Sequence, residues 1–325
     1  MRKNILCYFL TLAVAVLPVA ASAQSMADYT CYPVFITNAV TPNILIVLDV
    51  SGSMNLMAYG YGAGGYYYPN DFNPTTTYYG YFDPTARYTY GTGQFDRSPT
   101  GNWNGNFLNW LSMRRVDVAR KVLVGGLATS RTGGGNTKLI GETPAQESRK
   151  YFKFYSNSST YAPYSNNHVY KISKGKIEVY SIDTPANFNF GANYMMYCNA
   201  FNGHDALCED VVFDYTGSSN QDGKNYNIYP RKASEAHGGC DYNKYNYTNK
   251  INGLTYVTSY VIKVDKVETA EPAVFDEDGN ITGVLQRIGD KARFGTEFFN
   301  NDGSKYETDW KNFRCCCNNC PVGSA

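Results

Sequence analysis

The run Asn43-Ile44-Leu45-Ile46-Val47-Leu48 leads straight into Asp49-Val50-Ser51-Gly52-Ser53, and this junction restricts the fold more than any other stretch of the chain. The five consecutive aliphatic residues Ile44 to Leu48 suit a strand covered on both faces, the habit of a central strand in a parallel α/β sheet. Ligands in such sheets bind beyond the carboxyl ends of the strands, where Asp49 to Ser53 would stand. One carboxylate and two hydroxyls are hard oxygen donors, which suit Mg²⁺, Mn²⁺ or Ca²⁺ rather than zinc or copper. Asp49, Ser51 and Ser53 are therefore the candidate metal ligands. The competing reading is a polar strand-to-helix turn in which Ser51 and Ser53 only satisfy backbone groups.

The amino terminus has the composition of an export signal. Arg2 and Lys3 precede an apolar stretch from Ile5 to Val19, and Ala21-Ser22-Ala23 offers a small-residue cleavage site before Gln24. No later segment approaches the roughly eighteen apolar residues of a membrane helix, so the mature chain is not expected to span a membrane. The balance of 29 basic against 28 acidic residues creates no field for nucleic acid. Of nine cysteines, Cys7 leaves with the signal; the remaining Cys31, Cys198, Cys208, Cys240, Cys315, Cys316, Cys317 and Cys320 are an even number that fits disulfides in an exported protein. Cys317 and Cys320 have the spacing of half a zinc site, but no second pair accompanies them.

Between Met57 and Gly105 the chain is crowded with Gly, Tyr, Asn and Pro, which favours loops carrying aromatic rings over a surface and crowning the candidate site. That segment reads equally as a structural loop packed on its own rings. From Asn106 to Leu127 the period becomes helical. Leu111, Val118 and Val122 share one face with Leu108 and Ala119 beside it, Arg114, Asp117, Arg120 and Lys121 can face water, and Gly125-Gly126 supplies a stop. Beyond it, short strands such as Lys176–Ser181 and Thr255–Val264 alternate with turns and read as a β-rich insertion. Asp276 to Asn280 is read as a hairpin tip, because its glycine and closing Glu do not fit a calcium loop. A short helix to about Lys291 and a strand from Ala292 to Phe299 then return to the sheet. That strand is expected to lie parallel to the one at Asn43–Leu48, with the helix from Asn106 packed on one face.

Catalytic chemistry is thin. The three histidines, His168, His204 and His237, lie in no H-E-x-x-H spacing, no G-x-S-x-G elbow occurs, and Gly217 to Lys224 misses a phosphate loop. The chain is expected not to be an enzyme.

With its flanks, Asp49-Val50-Ser51-Gly52-Ser53-Met54 resembles the metal-ion-dependent adhesion site of von Willebrand factor A domains, whose first strand ends in D-x-S-x-S. Asn73-Pro74 with Tyr78-Tyr79-Gly80-Tyr81-Phe82-Asp83-Pro84, Gly105-Asn106-Phe107-Leu108-Asn109-Trp110, and Arg115 to Leu123 resemble the amino-terminal half of PilY-type proteins, type IV pilus tip-associated assembly factors and adhesins. Gly283 to Gly295 with Phe298-Phe299-Asn300 resembles the stretch leading into the second strand of that family's A domain. The resemblance implies an α/β fold: a partial, doubly wound, von Willebrand factor A-like parallel sheet with a Tyr/Gly-rich loop and a β-rich insertion. It implies a signal peptide at 1–23, an N-terminal segment at 24–41, and the first part of the A-like domain at 42–130. The insertion then takes 131–282, the second strand region 283–300 and a Cys-rich tail 301–325. Family members continue into a β-propeller, and nothing of that size follows residue 300, so the chain is expected to be a truncated representative. The family's further threonine and aspartate ligands have no clear counterpart; Thr143-Pro144 follows the first helix too closely to be that loop. The function implied is pilus biogenesis and surface adhesion through a divalent cation. Minor pilins or the pilus tip, and a host or surface ligand bearing an acidic group, would be the partners. The place implied is the periplasm, cell surface or pilus tip of a Gram-negative bacterium. The alternatives are a secreted A-domain binding protein unrelated to pili and a pilus-tip scaffold that needs no metal.

Overall fold

The computed structural model describes residues 41–49, 52–60, 71–131, 137–143, 149–185, 197–201, 204–207, 211–215, 223, 225–230, 250–265 and 280–298. The export signal, Ser51, the turn at 276–279, the tail 301–325 and all the cysteine side chains lie outside that set, as do the side chains of His204 and His237.

Strand β1 (Asn43–Leu48) is followed by a 3-10 turn, Gly52–Asn55. Strands β2 (Arg87–Gly91), β3 (Gln94–Arg97) and β4 (Trp103–Asn104) precede helices α1 (Gly105–Ser112) and α2 (Arg115–Val124). Then come β5 (Lys138–Ile140), β6 (Arg149–Phe154), β7 (His168–Ser173) and β8 (Lys176–Ile182). They are followed by β9 (Tyr197–Phe201), β10 (His204–Leu207), β11 (Val211–Tyr215), β12 (Tyr226–Pro230) and β13 (Asn252–Val261). Strand β14 (Lys263–Asp265), the single turn α3 (Val284–Arg287) and β15 (Arg293–Phe298) complete the described chain. The molecule is thus mixed α/β.

The strands form three sheets. β1 and β15 make a parallel pair with Asn43 opposite Arg293 and Leu48 opposite Phe298, the pairing expected from the two apolar runs. A five-stranded sheet runs β4-β2-β3-β14-β5, and β6 to β13 close an eight-stranded barrel in which every pairing is antiparallel. Two hairpins have turns with both central residues at positive φ: Thr92 at 51° with Gly93 at 80°, and Lys174 at 46° with Gly175 at 66°. Such turns match the right-handed twist of the flanking strands, and glycine in the second place removes half of the steric cost.

β6 divides its side chains between two environments. Phe152, with Lys171, Glu178, Tyr180 and Tyr226 of neighbouring strands, points into the barrel, where Lys171 Nζ lies 2.5 Å from Glu178 and donates to Tyr226 Oη at 3.0 Å. Tyr151 and Lys153 alternate to the outer face. There the barrel meets the aromatic core of the smaller unit, in which Phe107 packs 5.7 Å from Tyr170 and Trp103 packs 6.3 Å from it. Both faces of β7 are buried for this reason.

Three local expectations are corrected. β1 is not covered on both faces: Leu45 is 63% and Val47 52% exposed. The helix from Asn106 is two helices, broken where Met113 (φ −76°, ψ 133°) and Arg114 (φ −93°, ψ 161°) are extended and Arg114 bridges Met57. Of its supposed wet face, Arg114, Asp117 and Lys121 are buried and only Arg120 is partly exposed, while Val122 of the supposed apolar face is exposed. The Tyr/Gly-rich segment contains regular strands, and its Tyr78, Tyr81, Phe82 and Tyr88 are buried core rather than a surface layer. Among the described residues, no helix is long and apolar enough to cross a membrane.

Candidate metal loop and its seat

Asp49 leaves the carboxyl end of β1 and is exposed, while Ser53, in the first turn of the 3-10 segment, is half-buried. Ser53 Oγ donates a hydrogen bond to Asp49 Oδ2 at 3.4 Å. Neighbouring oxygens around one six-coordinate ion are separated by about 3.0 Å for Mg²⁺ and about 3.4 Å for Ca²⁺, from bond lengths of about 2.1 and 2.4 Å. The two placed donors therefore have the chemistry and spacing of a shared divalent ion. Ser51, the third candidate, lies outside the described residues. Among the described residues, no group of three or more His, Cys, Asp or Glu side chains that could hold a metal ion gathers, in this loop or elsewhere.

The seat of the loop is the α1–α2 junction. Ala58 N–H donates to Met113 O at 2.9 Å and Arg115 N–H to Leu56 O at 3.0 Å, a short antiparallel ladder. Arg114 Nη1 reaches Asn55 O at 2.5 Å, and its guanidinium stands 5.6 Å from the centre of the Tyr151 ring. On β6, Lys153 Nζ donates to Tyr59 O at 3.2 Å and to Trp110 O, with the Trp110 ring 4.4 Å away. Burial pushes the Lys153 ammonium down to about 7, opposed by the charge of Asp71.

Asp117 locks the junction from behind. Its Oδ2 accepts from Arg114 N–H at 3.1 Å, which caps α2, and its Oδ1 accepts from Tyr81 Oη at 3.2 Å and from Glu142 N–H at 3.0 Å. Burial pushes this carboxyl up to about 6, against the hydrogen bonds from Arg114 and Glu142 and the charge of Arg114. Glu142 in turn pairs with Arg120. At the other end of α2, Gly125 (φ +84°) and Gly126 (φ +115°) return their N–H groups to Lys121 O and Arg120 O. A Cβ on Gly283 would stand 2.3 Å from Leu123 C, so α3 meets α2 there in a glycine-only contact. The turn after β1 thus rests on the start of α2, and the turn before β15 on its end.

None of Arg114, Asp117, Tyr151 or Lys153 stands out as a site residue in the sequence. The one local signal is an acidic residue three positions after a helix start, the place of a capping carboxylate. Thr143, near this cluster, donates to Gly141 O at 3.4 Å, and His168 Nδ1 lies 3.0 Å from both oxygens of Ser165, each a local contact.

The blocks Asn73–Pro84 and Gly105–Trp110 interlock. Asn109 Oδ1 accepts from Phe82 N–H at 3.0 Å while its Nδ2 donates to Tyr78 O and Phe82 O at 2.9 and 2.8 Å. Asn106 holds Tyr78 N–H and Thr76 O, each at 2.7 Å, and Trp110 Nε1 donates to Asp71 at 2.8 Å. A Cβ on Gly105 would lie 1.9 Å from Asp83 O, so only glycine permits the approach. The smaller unit is an α/β domain built on this clasp.

Residues 69–189 match the family model described as the PilY1 homolog small alpha/beta domain, a stretch that takes in β2 to β8, α1 and α2. Over this stretch the chain is similar to the PilY1 homologs. A protein of Xylella fastidiosa (strain Temecula1) described as a type IV pilus biogenesis factor PilY1 homolog is 32% identical over 93 residues, which are 26% of this chain and 6% of that protein. The chain thus matches only a small part of that relative's length. No solved structure matches.

Proposed function

We propose that this chain serves type IV pilus biogenesis and surface adhesion, and that Asp49, Ser51 and Ser53 hold a divalent cation at the end of an A-like parallel sheet. The observations that carry the reading are that Asp49 follows the carboxyl end of a strand paired in parallel with β15 and that Ser53 Oγ lies 3.4 Å from its Oδ2. The match to a pilus biogenesis factor supports the setting. The ion, Mg²⁺, Mn²⁺ or Ca²⁺, would leave a coordination position to a carboxylate of a minor pilin or a host ligand, and binding of this kind ends with chelation. The role is binding, not catalysis. Export by the amino-terminal segment would place it in the periplasm, at the cell surface or at the pilus tip.

A metal-independent tip scaffold is the second reading, favoured by the burial of the interlocked family blocks. The test is Mn²⁺ binding by wild type and Asp49→Ala, together with capture of minor pilins with and without chelator. Loss of Mn²⁺ and pilin binding on removing Asp49 or the ion supports the adhesion site. Pilin capture that survives both leaves a scaffold, and equal Mn²⁺ binding by both proteins reduces the loop to a turn.

A further inference from the structure

A shared ion needs Ser53 and Asp49 held at one spacing, yet they sit on different elements. Asp49 follows β1, whereas Ser53 belongs to the turn Gly52–Asn55, whose far end is held elsewhere. Leu56 N–H returns to Ser53 O at 3.1 Å, so the turn is one hydrogen-bonded unit, and whatever fixes Asn55 and Leu56 also fixes Ser53. What fixes them is the residue pair 114–115. The Arg114 guanidinium, on a residue only 2% exposed, donates to Asn55 O at 2.5 Å and lies over the Tyr151 ring, and Arg115 N–H holds Leu56 O. Arg114 is itself held through its backbone by Asp117.

We infer that Arg114 is a positioning residue for the Asp49–Ser53 loop, holding the turn that carries Ser53 at the distance from Asp49 at which both oxygens ligate one divalent ion. The inference rests on the metal reading above. A guanidinium suits the task because its plane stacks on an aromatic ring while an edge donates to a carbonyl, which a lysine ammonium cannot do from the same place. Outer partners that orient metal ligands typically govern affinity by about 10- to 100-fold.

The test is Mn²⁺ binding to the whole chain, followed by water-proton relaxation, in wild type, Asp49→Ala, Arg114→Lys, Arg114→Met and Tyr151→Leu. Phe82→Leu, a core change away from the junction, is the control for general destabilisation. In the folded Arg114 variants, affinity is expected to fall about tenfold or more. The relaxation enhancement per bound ion should rise, because water replaces the displaced Ser53; Phe82→Leu should move neither. Wild type that binds, with Asp49→Ala silent and Arg114 variants unchanged in affinity and relaxation, overturns the positioning role and leaves the metal reading standing. Wild type that binds no Mn²⁺ overturns both. If neither Arg114 variant folds, Tyr151→Leu decides on the same two readouts.

Discussion

Asn109 shows how much one side chain organises here. Its fully buried amide answers one N–H and two carbonyls of the segment 78–82, so the Tyr/Gly-rich chain needs no secondary structure of its own at that point. Asn109→Leu keeps the size and strips all three partners at about 1–3 kcal/mol each, so unfolding in urea should show a loss of about 3 kcal/mol or more. Asp117 makes a complementary case through pH. Its folded carboxyl, raised from 3.8 to about 6, binds a proton more tightly than the unfolded chain does. Protonation therefore contributes stability that is complete below the unfolded value and is lost as pH rises through the folded one. Relative to Asp117→Asn, wild type should gain stability between pH 7 and pH 4, on the order of 2 kcal/mol. Urea titrations of both proteins across that range check the sign. Lys153 runs the opposite way. Its folded ammonium, lowered from 10.5 to about 7, favours the fold as pH rises between those values, a slope that Lys153→Met should flatten.

Between elements, the sharpest dependence lies across β7 and β8. Lys171 and Glu178 stand directly opposite in register, 2% and 0% exposed at the side chain, with Tyr180 Oη also donating to Glu178. Desolvating two charges offsets much of their attraction, so the pair adds little net stability, whereas removing one partner strands the other. Lys171→Met should cost about 3–5 kcal/mol, and Lys171→Met with Glu178→Leu should recover most of it. A double-mutant cycle in urea measures the difference. The break between α1 and α2 follows the same logic of partnership. Two extended residues give up helical hydrogen bonds because Leu56 and Ala58 supply replacements and Asp117 caps the new helix.

At the scale of the whole molecule, the barrel and smaller unit bury their aromatic faces against each other, while the β1–β15 pair does not share in that core. Leu45 and Val47 lie on one exposed face, and, among the described residues, each strand of the pair has a single strand neighbour. An open edge beside an apolar face promotes association. Leu45→Thr with Val47→Thr should leave unfolding stability within about 0.5 kcal/mol per exposed site and lower concentration-dependent association, read by sedimentation velocity.

Some of this was legible in the sequence because it is local. The parallel partnership of Asn43–Leu48 with a strand ending near Phe299 follows from two apolar runs; the donor chemistry of Asp49, Ser51 and Ser53 follows from residue type; and strand runs such as Lys176–Ser181 follow from composition. The junction that seats the loop was not legible. Arg114, Asp117 and Lys121 recur at helical spacing and read as a solvent face, because hydrophobicity alone cannot reveal a buried polar partner. Their burial depends on groups distant in sequence: Tyr81 Oη 36 positions from Asp117, Glu142 N–H 25 positions from it, and Asn55 O 59 positions from Arg114. Composition marked the Tyr/Gly segment as irregular, but only the clasp of Asn106 and Asn109 turned its rings inward. A residue's polarity sets the cost of burying it; whether that cost is met depends on which groups the fold brings within hydrogen-bonding distance.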